Sequence, residues 1–404
     1  MTSKSKDFQE RLAQFMNEFV YPNEHTYAEQ LSNAKNRFSP VPIMQELKEQ
    51  AKKAGLWNLF VPPSHSEFCD HGGLSFLEYA PLCELMGRVI WSAEVFNCNA
   101  PDTGNMEVFM NFATPDQQEQ WLAPLLNGEI RSSYAMTEPQ VASSDATNIE
   151  LSIMRDKDEW VLNGRKWFIT GAMNEATKIF IVMGKTAPDH ENRHLQQSQV
   201  LVPKNTPGLT VVRPLTTFGY DDAPIGHAEL EFNDVRVPLE NILLGEGRGF
   251  EIAQSRLAPG RMHHCMRLIG VAQRALELAC QRAESRSTFG RPLSKHQSVR
   301  EDISKCFSEI EMARLLVYKA CHKIDTEGVA ASVPMIAAVK TTIPLLVQNL
   351  VDRCIQMHGA AGLSHDFFMA EAMNYARWCR LADGPDQVHQ MALGKQIIQR
   401  YSQT

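Results

Sequence analysis

The spacing of apolar residues along the chain changes period twice. Up to about residue 130 the pattern is helical, and its last helix carries its own start signal. There, TPDQ at 114–117 reads as a capping box, with Thr114 as N-cap, Pro115 at the first turn and Gln117 reaching back. The helix it opens is expected to bury Trp121, Leu122, Leu125 and Leu126 before Gly128 ends it. From about 131 to 245 short β-rich runs take over, punctuated by Pro and Gly. Asn163-Gly164 stands between two such runs and predicts a hairpin turn. Further strands are expected at 178–185, 199–204, 209–214 and 227–238, with 187–198 as an exposed polar loop. Beyond Gly249 helical steps return. Ile336, Val339, Ile343, Leu346 and Leu350 form one stripe, widened by Val347 and Val351, and Phe307, Ile310, Ala313 and Val317 form another.

This order predicts an α+β protein of three domains. They are an N-terminal α-helical domain (1–130), a middle β-barrel or sandwich (131–245) and a C-terminal four-helix bundle (246–404). At 404 residues, more than one core is expected. A formal net charge of −7 excludes a chain that binds nucleic acid or anionic membrane through its overall charge. Nine dispersed cysteines without a C-x-x-C pair read as free thiols in a reducing compartment. The N-terminus has neither a secretory nor a transit-peptide pattern, and the final Ser-Gln-Thr is no peroxisomal address, so cytoplasm is expected and a processed organellar form stays open. No apolar run is expected to reach the length of a membrane span.

Candidate chemistry concentrates in four stretches. The first is YAMTEP at 134–139 with SSD at 143–145, a strand end whose hydroxyl and backbone groups could hold a polar ring. The second is WFITGA at 167–172. The third, RSTFGRPLSKHQ at 286–297, reads locally as a helix end at Gly290 and a new helix near Ser294, but it also offers Arg286, Phe289 and Gln297. An arginine fork suits a pyrophosphate, and an aromatic ring can cover an adenine. The fourth runs from QMHGAAG at 356–362 to DGPDQVH at 383–389, where Asp383 sits at an Asp-Gly-Pro turn. Such a turn is also a common Asx-turn with no chemistry. A Rossmann fingerprint, a nucleophile elbow and a metal-ligand pattern are all missing. His263 and His264 point apart on one helix, and His65, Cys69 and His71 share a loop; both sets read as structural or solvent-facing.

In this order and at these separations, the four stretches resemble the acyl-CoA dehydrogenase family of flavoenzymes, over nearly the whole chain from about Gln45 onward. The resemblance is strongest to the branch with Asp rather than Glu at the position of Asp383, some members of which carry a fused kinase-like domain. It implies FAD as cofactor and an acyl-CoA thioester as substrate. Asp383 would remove the α-proton while a hydride leaves Cβ for flavin N5, with the backbone amide of Asp383 polarising the thioester oxygen. A carboxylate in water is too weak a base for that step, so desolvation is expected to raise its pKa.

By the same resemblance Tyr134, Met136, Thr137, Ser143, Trp167, Ile169 and Thr170 contact the flavin end. Arg286, Phe289 and Gln297, with Gln356, His358 and Gly359, reach the dinucleotide of a neighbouring subunit, which implies a homodimer or homotetramer. Asp386 and Gln387 match a flavin-contacting position. Ser143 or Ser144, Arg261 and Gly384 are placed with the substrate, while Gly260 stands where some relatives put their base. An electron-transferring flavoprotein is the implied acceptor. A flavin oxidase on the same fold and a non-catalytic assembly subunit are the alternatives.

Overall fold

The structure is a computed structural model describing residues 2–402; the terminal positions Met1, Gln403 and Thr404 lie outside the described residues. The N-terminal region is helical throughout. It comprises α1 (Ser3–Phe15), α2 (Glu24–Asn33), α3 (Pro42–Lys53), α4 (Phe76–Gly87), α5 (Asp102–Phe112), α6 (Pro115–Gln117) and α7 (Ala123–Leu126). Both arms of the Thr114–Gln117 capping box form. The helix that follows contains a π-turn at Gln118–Leu122, and it fully buries Leu122 and Leu125 but only half-buries Trp121 and Leu126.

The middle region is one seven-stranded sheet: β1 (Arg131–Ala135), β2 (Ser152–Asp156), β3 (Glu159–Thr170), β4 (Thr177–Lys185), β5 (Gln197–Pro203), β6 (Leu209–Leu215) and β7 (His227–Pro238). Its order is β1-β4-β2-β3-β7-β6, with β5 on β4. The expected hairpin turn at Asn163-Gly164 is not there. β3 passes straight through it, and the chain turns instead at Lys157-Asp158, where Asp156 pairs with Glu159. Gly164 marks a bulge against β7, with φ of 147° and the backbone of Leu151 where a side chain would go, 3.1 Å from an added Cβ. Bulge and tight turn both call for unusual backbone at glycine, so the same dipeptide signals either. β5 starts two residues earlier than expected, with Gln197 and Ser198 buried rather than in an exposed loop.

The C-terminal region holds α8 (Gly249–Ser285), a small hairpin of β8 (Ser287–Thr288) and β9 (Arg291–Pro292), α9 (Gln297–His358), α10 (Met369–Trp378) and α11 (Asp386–Ser402). α9 breaks at Gly328, and its two halves with α8 and α11 give four long rods. Gly290 is the hairpin turn and not a helix end, and the next helix starts at Gln297 behind His296 rather than at Ser294. Most of the expected α9 stripe is buried, Leu346 partly so. Phe307 is the exception, 59% exposed, because the inward face holds Cys306, Ile310, Ala313 and Val317 and Phe307 lies about 100° off it.

Among the described residues one helical stretch, Gln297–Leu363, is long and apolar enough to cross a membrane by length and composition, which revises the sequence expectation. Here it is packed by α8, α10 and α11, and the hydropathy serves the bundle core. α4 and α8 cross with backbones touching. An added Cβ at Gly87 would lie 2.1 Å from the Arg267 carbonyl oxygen, and one at Gly270 would lie 1.9 Å from that of Glu84. That contact fixes the part of α8 on which the site is built.

Candidate active site

Asp383 lies in the turn between α10 and α11, in left-handed backbone (φ 53°) that Asp tolerates better than most residues. Its carbonyl oxygen accepts from Arg261 Nε at 2.8 Å and faces His389 Nε2 at 3.2 Å. Lys340, buried on α9, donates to the Cys379 carbonyl and lies 3.4 Å from that of Gly384, clamping the turn from below. The carboxylate is 18% exposed, with Oδ2 3.8 Å from His264 Nε2. An added Cβ at Gly260 would lie 3.4 Å from the same oxygen, so the alternative base position and Asp383 converge on one point in space.

Burial pushes the Asp383 carboxyl up, but His264, Arg256, Arg261 and Lys340 outweigh it, and the group lies below its usual range. His264 is itself held at about 3 by burial and by Arg267. At neutral pH it is an uncharged ring beside the carboxylate. The expected rise in pKa is therefore not built into the protein alone; an ionised, partly shielded carboxylate is.

One wall of this pocket comes from β1 and α5. Buried Asp102 accepts from Arg131 Nε (2.9 Å) and from the Ser132 amide (2.7 Å), which pins β1 to α5. Asn105, one turn on, donates to Ser132 Oγ and accepts from Arg256 Nε, both at 2.9 Å. The Arg256 guanidinium then lies 4.1 Å over the Tyr134 ring, whose hydroxyl accepts from Gln199. Tyr134 lies near enough to Asp383 for the carboxylate's charge to raise the tyrosine's pKa, after burial, which raises it most. Behind Arg256 is the buried carboxyl of Glu107, pushed up to about 8 by burial.

The other wall is the β1–β3 edge. The Trp167 amide donates to the Thr137 carbonyl at 2.9 Å, and Thr137 Oγ1 donates back to the Trp167 carbonyl. Lys166, fully buried, bridges the Met136 carbonyl and Glu138, each at 2.7 Å. Glu138 also accepts from the amides of Glu150 and Leu151. Ser143 Oγ accepts from the Glu138 amide at 2.8 Å, while Ser144 is exposed. The hydroxyls of Thr137 and Ser143 therefore shape the 136–143 loop first. Thr170 Oγ1 meets His227 Nδ1 at 3.0 Å, and Ile169 is buried beneath. His227 faces Trp378 at 6.3 Å and Trp378 faces His264 at 5.4 Å between ring centres, which joins this edge to Asp383.

Three groups of expected site residues stand apart from the Asp383 carboxylate, two of them the groups expected to reach a neighbouring subunit's dinucleotide. Asp386 is buried with its carboxylate committed to Arg380 at 2.7 Å, and Gln387 is exposed. Arg286 is exposed and Phe289 is 97% exposed on the β8–β9 turn, while Gln297 pairs with Glu301. Gln356, His358 and Gly359 end α9 near that turn, where Arg282 Nη2 contacts the His358 carbonyl at 3.4 Å. From Arg261 to Arg286 along α8 is about 37 Å, so one chain does not bring these residues to Asp383.

Sequence reasoning missed His264, which is buried beside the base, and with it Arg256, Arg267, Lys340, Tyr375 and Trp378. A signal was available: Arg256, Gly260, His264 and Arg267 recur at helical steps within α8, a polar stripe on a helix that is otherwise buried there. The loop cluster Cys69–His71 packs internally, and no group of residues able to hold a metal occurs among the described residues.

A three-domain helix–sheet–helix chain with a partly buried carboxylate between the sheet edge and the bundle defines a class, and comparison with known proteins agrees. Family models for the N-terminal, middle and C-terminal domains of acyl-CoA dehydrogenase match residues 2–129, 133–235 and 247–398. The chain belongs to the acyl-CoA dehydrogenase family, a family of oxidoreductases. It is 50% identical over 97% of its length to acyl-CoA dehydrogenase family member 10 of Mus musculus, covering 37% of that protein. It spans about half the length of several further curated relatives. Probable acyl-CoA dehydrogenase FadE2 of Mycobacterium tuberculosis is 46% identical over all of this chain and 98% of its own. A solved chain from Mycobacterium abscessus, described provisionally as an acyl-CoA dehydrogenase, superposes with a TM-score of 0.95 at 43% identity, covering 99% of each chain.

Proposed function

We propose that the chain is an FAD-dependent dehydrogenase of acyl-CoA thioesters that forms a trans-2-enoyl-CoA. The observation that carries this reading is the partly shielded Asp383 carboxylate, which lies 3.8 Å from His264, a ring that faces Trp378 and through it His227 at the sheet edge. Asp383 takes the α-proton, and its turn, clamped by Arg261 and Lys340, sets where that proton must lie. Arg261 and Gly384 border the thioester, and Tyr134, with Arg256 over its ring, borders the flavin end. FAD, when bound, supplies the acceptor for the Cβ hydride at its N5.

The residues present fit FAD. Thr137, Ser143, Trp167 and Thr170 form a rigid polar edge for the ring system. At the far end buried Arg282 Nε has no partner and Arg286 is exposed, a donor pair suited to a pyrophosphate, beside exposed Phe289, which suits an adenine; His358 donates through Nδ1 to the Cys354 carbonyl and offers its buried Nε2 as an acceptor. Those residues would serve the dinucleotide of a second copy, so the active form is a homodimer or homotetramer. Exposed Phe307, Met312 and Leu315 on α9, and Met391 and Ile398 on α11, are apolar area for such contacts. An electron-transferring flavoprotein is the proposed acceptor. Nine free cysteines favour a reducing compartment such as the cytoplasm.

The test is anaerobic absorbance of the flavoprotein during titration with acyl-CoA thioesters of graded chain length, with mass analysis of the product. Bleaching with loss of two hydrogens from the thioester supports the reading. Rapid reoxidation by oxygen with peroxide release would turn it into an oxidase, and a protein that holds no flavin would make it an assembly subunit.

A further inference from the structure

Among the buried groups that the proposed reaction leaves unused, His264 stands nearest the base. One side of its ring faces Asp383 Oδ2 through Nε2. On the other side Nδ1 faces the Tyr375 hydroxyl at 3.2 Å and Arg267 Nη2 at 3.4 Å. A guanidinium can only donate, so Nδ1 is the unprotonated nitrogen and the ring proton sits on Nε2, directed at the carboxylate. Arg267 Nε also donates to the Tyr375 hydroxyl at 3.3 Å, which leaves the tyrosine proton for Nδ1 and closes the set. Tyr375 and Trp378 hold the ring edge-on, at 6.1 and 5.4 Å between centres.

We infer that His264 is a positioning residue for the base: its Nε2–H holds Asp383 Oδ2 against the Gly260 turn of α8 and leaves Oδ1 for the substrate α-proton. This rests on the function proposed above. An Asp side chain is shorter than Glu by about 1.5 Å, so the reach to substrate must be set by its surroundings. α8 sets it from one face, since Gly260 leaves room for Oδ2 and His264, four residues on, supports it. At 3.8 Å the contact is longer than an ideal hydrogen bond, and the Nε2–H acts on the carboxylate as a close dipole already in the resting protein.

His264 keeps its proton throughout. The α-proton moves to Oδ1, the C–H electron pair forms the new double bond, and the hydride leaves Cβ. A neutral donor suits this role, because an imidazolium would weaken the base. Other groups facing the pair are Arg256 and Arg261 on α8, Lys340 on α9, His389 on α11, Tyr134 on β1 and the thiols of Cys265 and Cys379.

The test is an infrared pH titration of the Asp383 carboxyl band in the oxidised holoenzyme, taken as a difference against Asp383→Asn. It compares native protein with His264→Gln, which keeps an N–H near Nε2, and His264→Leu, which does not. Native and His264→Gln are expected to titrate together, and His264→Leu about one pH unit higher, a tenfold gain in proton affinity. In turnover, His264→Leu is expected to lose at least about tenfold in kcat with KM little changed, and His264→Gln to recover most of it. Coincident titrations and equal kcat in all three proteins would overturn the inference. A native enzyme reduced by no thioester would end the proposed function, while the infrared midpoints would still decide whether His264 holds Asp383. Should His264→Leu fail to fold, His264→Asn, with its amide near Nδ1 only, takes its place with the same expectation.

Discussion

The two ends of α8 contrast. Around Arg256–Arg267 the groups nearest the base meet partners from their own chain, Asn105, Tyr134, Tyr375 or Asp383, and only buried His263 Nδ1 among them has none. Around Arg282–Phe289 the chain leaves Phe289 out in solvent and two buried nitrogens, on Arg282 and His358, unpaired. Buried polar atoms without partners are costly, and an exposed phenylalanine on a two-residue turn does nothing for the fold. The side chains around the base are supplied by one chain, whereas the dinucleotide end presents an exposed ring and an unpaired guanidinium nitrogen to something outside it.

Changes at the base end should be severe. Asp383→Asn is expected to lower thioester-driven flavin reduction by about 10²–10⁴-fold with flavin retained, checked by stopped-flow absorbance. Next comes Lys166→Met, which strands the buried Glu138 carboxylate behind the flavin-facing loop. It should cost about 3–5 kcal/mol, read by denaturant unfolding. At the dinucleotide end, Phe289→Ala should leave thermal stability unchanged and weaken flavin binding by about 1–3 kcal/mol, roughly five- to 150-fold, measured by fluorescence titration of apoprotein. A fall in Tm there would erase the contrast.

The smallest effect is a matter of pH. Glu107 is raised to about 8 in the fold from about 4.3 unfolded, so its contribution is full below pH 4.3 and is lost as pH rises through 8. Glu107→Gln should therefore gain Tm over native at pH 8 and little at pH 5. The imidazoles run the other way. His263 and His264 at about 3 and His389 at about 4 are buried neutral, so their contribution is full above about pH 6.5 and is lost as pH falls toward 4. Melting curves across pH 4–9 separate the two limbs.

Much of this was legible in the chain. Changes of hydrophobic period located β3 to β7 within a few residues but gave no sign of β2 at Ser152–Asp156, and the Thr114 capping box formed as spaced. Gly164 misled because a bulge and a turn share one backbone requirement. Phe307 misled because one residue of phase turns a helical side chain away from the core. Asp383 and Arg261 were readable through resemblance, and they do lie together. His264 was not, because its partners Tyr375, Trp378 and Asp383 are more than a hundred residues away and no local pattern sets that meeting. The polar stripe on a buried helix was the one available hint. The sheet edge held a subtler surprise: hydroxyls expected to face a ligand are first used to build the loop that would meet it.

Subunit complementation tests the contrast most directly. Asp383→Asn and an Arg286→Ala/Phe289→Ala chain, each nearly inactive alone, are unfolded together, refolded with FAD and assayed for thioester-driven reduction. If each site joins Asp383 of one chain to the dinucleotide end of another, random pairing restores roughly a quarter of native activity, from one intact site in each mixed pair. Activity no higher in the mixture than in the separate variants would contradict the account.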